Sequence, residues 1–467
     1  MVETLGKKVV LLDGRPSGNE DLTPTLTILT DVLTHRGAQV QVFSLRELKL
    51  AHCIGCFGCW LETPGICRYH EADGCAILQA VTQSDTMILF TPVVCGGYSS
   101  QLKQIVDRFV SLCLPYFHAY HGELHHVPRY AHFPRWVAIG VQQQFNAEDA
   151  GLFKLVVGRN AINFHAPSYA VEVVRSTDDP KRLREAFGSL LSRNDPLPWG
   201  DAIKPLMPAP DTFASRAEPD GVHRACLIVG SPKTLSPSTS SVLGNYLLER
   251  LKERGWETES LTLKASCVAR GQSALLAAVD RADLLLFAFP LYIDALPFLM
   301  TKALEVITEH RQATDHPRPQ RLFAIANNGF AESYQNHLAL SICQRFAAET
   351  GMTWVGGLAM GAGEAISSGE QLQPTSASGV PCMHVISALD LTGAALAQAQ
   401  AVPAEAVQGI AKNPILHAPF LLWRWIFTKS GNRMWERCAA EHGVSTQRML
   451  AHPYAGDAAR GATLPFS

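Results

Sequence analysis

The chain has 467 residues, 47% of them hydrophobic and 18% charged, with a net charge of -2. That length exceeds one ordinary core and suits two domains, and the balance of charge and apolar residues excludes a disordered chain or a basic nucleic-acid-binding surface. The opening MVETLGKKVVLLDG lacks the long apolar core of a signal peptide, so a cytoplasmic location is expected, and the 12 Cys are then more apt for metal or redox roles than for disulfides.

In chain order, residues 9–12 read as a buried strand, 13–21 as a polar loop, and 22–36 as a helix that Gly37 can stop. Residues 39–43 form the next strand, followed by a Cys-rich stretch over 53–75 and a helix near 76–83. The stretch DTMILFTPVVCGGYSSQLKQIVDR then joins a continuous apolar run at 87–90 to Leu102, Ile105, Val106 and Phe109 at helical spacing. Between them lies a strand-to-helix turn of the kind that sits at the carboxyl edge of a parallel sheet, where open α/β folds bind ligands. Gly96 and Gly97 remove two β-carbons there, which suits close approach of a flat ligand to the backbone. Strands at 136–141 and 169–174 complete a set of five, predicting a doubly wound parallel sheet with helices on both faces.

The six Pro within residues 194–223 mark an interdomain linker, with its core at 201–222, between a first domain at 1–200 and a second at 223–467. The second half repeats the first: a strand at 226–229, a helix at 242–254, a strand at 257–263, and DLLLFAFPLYIDALPFLMTKALEVI. Asp85 and Asp283 each stand seven residues before a Pro, Pro92 and Pro290. A further strand is expected at 354–360 and a helix near 388–399. The tail, with PFLLWRWIFTK, is read as a helix docked on its own domain or a partner, with a membrane-surface role as the alternative; it is too short to span a bilayer.

These pieces resemble two fused flavodoxin-like domains of the NAD(P)H-dependent FMN reductase and quinone reductase type. The matching elements are C-x2-C-x2-C with TPG, TPVVCGGYSSQLKQIVDR and HGELHHVPRY in the first half, and GSPKTLSPSTSS, FPLYIDALP, NNGFAES and WVGGLAMGAG in the second. The resemblance implies FMN as cofactor, NAD(P)H as co-substrate, and a small electron acceptor such as a quinone or a free flavin. No side-chain acid or base is then essential, because the flavin carries the chemistry. It also implies an intramolecular pseudo-dimer, since family members commonly dimerise over the flavin.

For the FMN phosphate, Ser231, Lys233, Ser236, Ser238, Thr239 and Ser240 offer hydroxyls and a countercharge before a helix N-terminus, unless these residues merely cap that helix. The first-half equivalent, with Arg15, Ser17 and Asn19, reads as the weaker cradle because Asp13, Glu20 and Asp21 repel phosphate. For the ring, Thr91, Pro92, Val93, Val94, Cys95, Gly96, Gly97 and Tyr98 form the better wall, with amides of residues 94–97 as donors. Pro290, Leu291, Tyr292, Asn327, Asn328, Gly329 and Phe330 are the second-half counterparts. His118, His121, His125, His126, Arg129 and Tyr130 are candidates for binding a substrate carbonyl or nucleotide phosphates, with an incidental surface loop as the alternative.

Cys53, Cys56, Cys59 and Cys67 resemble the iron-sulfur flavoprotein motif and suit a [4Fe-4S] cluster; free thiols, a labile disulfide and zinc stay open. With a cluster, the protein is better described as a one-electron relay. A flavin-less binding module is the third reading.

Overall fold

The computed structural model describes residues 7–18, 22–212, 223–233, 237–269, 272–367, 369–413 and 419–456. They form two units, one of residues 1–203 with 428–467 and one of residues 204–427. The tail, read from the sequence as part of the second domain, thus belongs from residue 428 onward to the first. Residues 204–212, read as linker, belong to the second unit, where Asp211 pairs with the backbone of Trp354 at 2.9 and 2.8 Å.

The first unit contains β1 (Lys8–Asp13), α1 (Thr23–His35), β2 (Gln39–Ser44), α2 (Gly58–Leu61), α3 (Ala72–Gln83), β3 (Thr86–Pro92), α4 (Ser100–Val106), β4 (Cys113–Tyr120), β5 (Glu123–Pro128), β6 (Arg135–Gln142), α5 (Ala147–Asn163), β7 (Tyr169–Arg175) and α6 (Pro180–Ser192). Its sheet is parallel with order β2-β1-β3-β6-β7, the doubly wound arrangement with a switch point beside β1. The apolar runs of β1, β3 and β6 are buried along nearly their whole length, as strands covered on both faces by helices must be.

In the second unit follow β8 (Arg224–Val229), α7 (Thr239–Lys252), β9 (Glu257–Thr262), α8 (Ala265–Ala269), α9 (Gln272–Arg281), β10 (Leu284–Pro290), α10 (Phe298–Gln312), β11 (Arg321–Asn327), α11 (His337–Glu349), β12 (Thr353–Met360), α12 (Gly363–Ile366), α13 (Met383–Ala397) and α14 (Ala404–Ile410). The parallel order β9-β8-β10-β11-β12 repeats that of the first unit. Helix α15 (Phe420–Glu441) and the short α16 (Thr446–Met449) complete the chain.

The duplication extends to single hydrogen bonds. Asp85 Oδ2 accepts from Lys8 N at 2.9 Å and Asp283 Oδ2 from Arg224 N at 2.8 Å, so each acid pins the start of one strand to its neighbour. Gly14 N donates to Phe90 O and Gly230 N to Ala288 O, both at 2.8 Å. A Cβ on Gly14 would lie 2.5 Å from Cβ of Leu102, so only glycine lets the loop after β1 cross α4 this closely.

Candidate functional site

At the carboxyl edge of the first sheet, two loops meet beside the switch point: residues 14–18 after β1 and residues 91–99 after β3. Ser99 joins them. Its Oγ donates to Gly14 O at 2.5 Å and caps α4 by accepting from Leu102 N at 3.2 Å, while its amide donates to Thr91 Oγ1 at 3.1 Å. Thr91 is fully buried and serves as a brace for the loop.

The turn itself is closed by Val94 N to Gly97 O at 3.1 Å and Gly97 N to Val94 O at 2.7 Å, with positive φ at Cys95 (48°) and Gly96 (81°). Two of the amides expected to face a ring are therefore spent on each other; that of Gly96 has no partner among the described residues. The Cα hydrogen side of Gly96 is closed too, because a Cβ there would come within 2.6 Å of Leu152 Cβ on α5. Pro92, Val93 and Val94 are half-exposed, whereas Cys95 and Tyr98 are buried, Tyr98 packing edge-on against Phe153.

The second unit makes the same turn without glycine. Tyr292 and Ala295 exchange backbone bonds of 2.9 and 3.1 Å, and Ile293 and Asp294 take the positive φ values of 46° and 55°. Leu291 N donates to Asn327 O at 2.8 Å, as Val93 N does to Val141 O at 3.0 Å. The turn after Pro290 thus forms without a Gly pair.

Of the three acids set against the first phosphate loop, Glu20 and Asp21 lie outside the described residues, and the third is offset: Asp13, fully buried, accepts from Arg15 Nε and Nη2 at 2.8 Å each and lies 3.3 Å from Arg46 Nη1. Arg15 is thereby committed to Asp13 and Thr23, while Ser17 stays exposed; Asn19 lies outside the described residues. The N-terminus of α1, preceded by Leu22, has no side-chain cap among the described residues; Pro24 carries no N–H, so the first-turn amides that could meet an anion are those of residues such as Thr23 and Thr25.

In the second unit, Ser238 is the N-cap of α7 and forms a capping box with Ser241. Ser240 donates to Asn327 at 2.7 Å, Thr239 donates to the Ser367 carbonyl, and Lys233 pairs with Glu364 at 3.1 Å. Ser231 is buried, and Ser236 lies outside the described residues. Asn328 is tied to Phe330 N and Glu332 O, and Gly329 is exposed. Gly369 lies against the residue just before this helix start, since a Cβ there would fall 2.1 Å from Pro237 O. The capping alternative thus describes these hydroxyls better than the phosphate one.

The Cys-rich insertion packs as a folded loop. Gly55 and Phe57 take positive φ, Trp60 is buried with Nε1 donating to Cys113 O at 2.9 Å, and Phe57 stacks on Trp60 at 5.0 Å. None of Cys53, Cys56, Cys59 and Cys67 is in a disulfide. Neighbouring cysteines help raise the pKa of Cys53, Cys59 and Cys67. Burial is the larger effect, pushing Cys53 up to about 12 and Cys59 well above the ordinary thiol range. Among the described residues no three Cys, His, Asp or Glu converge tightly enough for a single metal ion.

The stretch HAYHGELHHVPRY forms the β4–β5 hairpin, turning at His121 and Gly122, both of positive φ. Its residues divide into two sets. Glu123 and His125 are fully buried with Arg159: Arg159 Nη2 donates to Glu123 Oε1 at 2.8 Å, and His125 Nε2 lies 2.9 Å from the same oxygen. Burial pushes the Glu123 carboxyl up, but His125 and Arg159 outweigh it and hold it at about 2. On the same face, where His118 stands opposite His125 and Tyr120 opposite Glu123, His118 Nε2 meets His165 Nε2 at 3.1 Å, and rings stack from His165 to Tyr120 (3.6 Å) and from His121 to Trp199 (3.5 Å), ending in the exposed Trp199.

Arg129 and Tyr130, expected to bind substrate, instead hold the tail. Arg129 is fully buried; Nη1 donates to the carbonyls of Met449 and Ala451, both at 2.8 Å, and Nε to Ser111 O at 2.9 Å. Tyr130 Oη accepts from Tyr454 N at 3.2 Å. Tyr454 Oη in turn reaches Cys75 Sγ at 3.6 Å, and Trp435 packs edge-on against Phe57 and Trp60. His125 is likewise sealed inside its ion cluster and His121 is buried, which leaves His118 and His126 as the half-exposed members of the expected substrate set.

Comparison with known proteins places these loops in context. Residues 8–129 match the family described as NADPH-dependent FMN reductase. An iron-sulfur flavoprotein of Methanocaldococcus jannaschii is 33% identical over 101 residues, 22% of this chain and 51% of that protein. A second iron-sulfur flavoprotein of that organism is 32% identical over 76 residues, 16% of this chain and 37% of the relative. The chain therefore spans about half the length, or less, of these curated relatives. A solved azoreductase from Bacillus anthracis aligns over 40% of this chain and 100% of its own, at 9% identity and a TM-score of 0.25. Across residues 8–129, which contain both loops at the switch point and the cysteine cluster, the chain resembles the NADPH-dependent FMN reductase family.

Proposed function

We propose that the chain is an FMN-dependent NAD(P)H oxidoreductase whose cofactor site lies in the first unit, with a quinone, a flavin or another small molecule as acceptor. The observation that carries this is the pairing, at one switch point, of an uncapped α1 N-terminus with the rigid turn over residues 94–97, inside the stretch that matches the reductase family. The residues fit a flavin phosphate better there than in the second unit, because Asp13 is already offset by two guanidinium groups. FMN, when bound, supplies the electron chemistry. The protein's part is to hold it: the amides of α1 attract a dianion, and the unspent amide of Gly96 is a fixed donor that needs no reorganisation. Ser99 locks the two loops in one geometry.

The four cysteines at 53, 56, 59 and 67, none of them in a disulfide, favour a second reading, in which FMN works beside a [4Fe-4S] cluster and the protein passes single electrons. Their mutual electrostatic influence and the names of the curated relatives support it. Visible spectra of protein purified without oxygen separate the readings: flavin bands alone, bleached by NADPH or NADH, support the reductase, while an added broad iron-sulfur shoulder supports the relay. Protein that takes up no FMN on reconstitution, or whose bound FMN neither nucleotide bleaches, refutes the hydride mechanism.

A further inference from the structure

Helix α15 opens with the sequence FLLWRWIFTK. Its first two turns bury Trp423 and Phe427 but leave Phe420 (41%), Leu421 (65%), Leu422 (46%) and Trp425 (60%) exposed. Along the same solvent-facing stripe, at steps of four residues from Trp425, come Lys429 and Arg433, both exposed. An interfacial helix sets an apolar surface among the acyl chains and holds Lys and Arg at the headgroups; here the start of the stripe supplies the Trp and Leu and its continuation the Lys and Arg. A protein-facing patch has no such need for one sign of charge. Here the sign is uniform: from residue 406 to residue 435 the chain contains no Asp or Glu, against Lys412, Arg424, Lys429 and Arg433. Glu436 is the first acid beyond them. Arg424 is directed to the buried Glu332 at 3.8 Å, so the outward cations are those of the exposed stripe. Among the described residues no helix is long and apolar enough to cross a membrane, so the contact is of the surface kind.

We propose that the start of α15 is an interfacial anchor that docks the protein on an anionic lipid bilayer, inserting Leu421, Leu422 and Trp425 between lipids whose headgroups meet Lys429 and Arg433. Each cation close to such a surface strengthens binding roughly fivefold at low salt, and the effect fades as ionic strength rises.

The test is flotation of the full chain with vesicles of phosphatidylcholine alone or mixed with phosphatidylglycerol. The wild type is expected to float with the anionic vesicles and to be released by salt. The doubly substituted Leu421→Glu/Trp425→Glu protein, whose changes are at exposed positions, should lose at least tenfold in partitioning while its circular dichroism is unchanged. Lys429→Glu/Arg433→Glu should bind the anionic vesicles less and lose the salt dependence. Absence of wild-type binding to anionic vesicles, or equal binding by the Leu421→Glu/Trp425→Glu protein, overturns the proposal. So does a wild-type dimer in sedimentation velocity that this double substitution dissolves, since that result makes the patch an interface between copies.

Discussion

Replacing Glu123 by Gln tests whether the buried cluster under the β4–β5 hairpin is held by charge. Glu123 is fully buried and Arg159 is 2% exposed, so the substitution leaves a guanidinium in the interior without its carboxylate. Breaking a buried pair in this way costs about 3–5 kcal/mol. For a unit of this size each kcal/mol lowers the melting temperature by about 2–4 °C, which predicts a fall of roughly 6–20 °C by differential scanning calorimetry. The pH dependence supplies a check that a packing defect would not reproduce. The folded carboxyl is held at about 2, below its unfolded value of 4.5, so its contribution is present above pH 4.5 and disappears as pH falls toward 2. The gap between wild type and Glu123→Gln should therefore be widest near neutrality, begin to narrow below pH 4.5 and close only as pH approaches 2. A loss under about 1 kcal/mol, or a gap that does not change with pH, would refute the reasoning.

Two further outcomes follow from the same geometry. Gly96→Ala puts a Cβ 2.6 Å from Leu152 Cβ at a φ of 81°, which should cost about 1–3 kcal/mol in urea denaturation and lower FMN uptake; Leu152→Ala should restore little, because the backbone strain persists. Burial lowers His126 and His165 to about 3 and His118 to about 4, below the ordinary 6.5, so the folded state resists protonation and stability present above pH 6.5 is lost as pH falls toward 3. Thermal midpoints measured between pH 7 and 4 should show this decline, and His126→Phe, which keeps a ring between Trp60 and Phe117, should flatten it.

Both sheets were legible in the sequence because their signals are local: apolar strand runs, helix periodicity, and the repeated Asp85/Asp283 and Pro92/Pro290 spacing. The His-Gly pair at 121–122 is an equally local hairpin signal, of the kind Asn-Gly gives, which the expectation of a substrate-binding segment, or of an incidental loop, did not use. Other features had no local signature. Arg129 looked like an anion ligand because its partners are main-chain carbonyls about 320 positions away. Asp13 looked like a liability because nothing in DGRPSG shows that Arg15 folds back onto it. The Ser-rich loop after β8 looked like a cradle because a capping box and a phosphate site use the same residue types.

The return of residues 428–456 to the first unit has a consequence for biosynthesis. The anchor for Arg129, the partner of Tyr130 and the ring that packs on Trp60 all emerge from the ribosome after the whole second unit. In the sequence the second unit is inserted within the first, so it can fold while the first still waits for residues 428–456. Until those residues are synthesised, the guanidinium of Arg129 and the aromatic rings of the cysteine loop lack these partners.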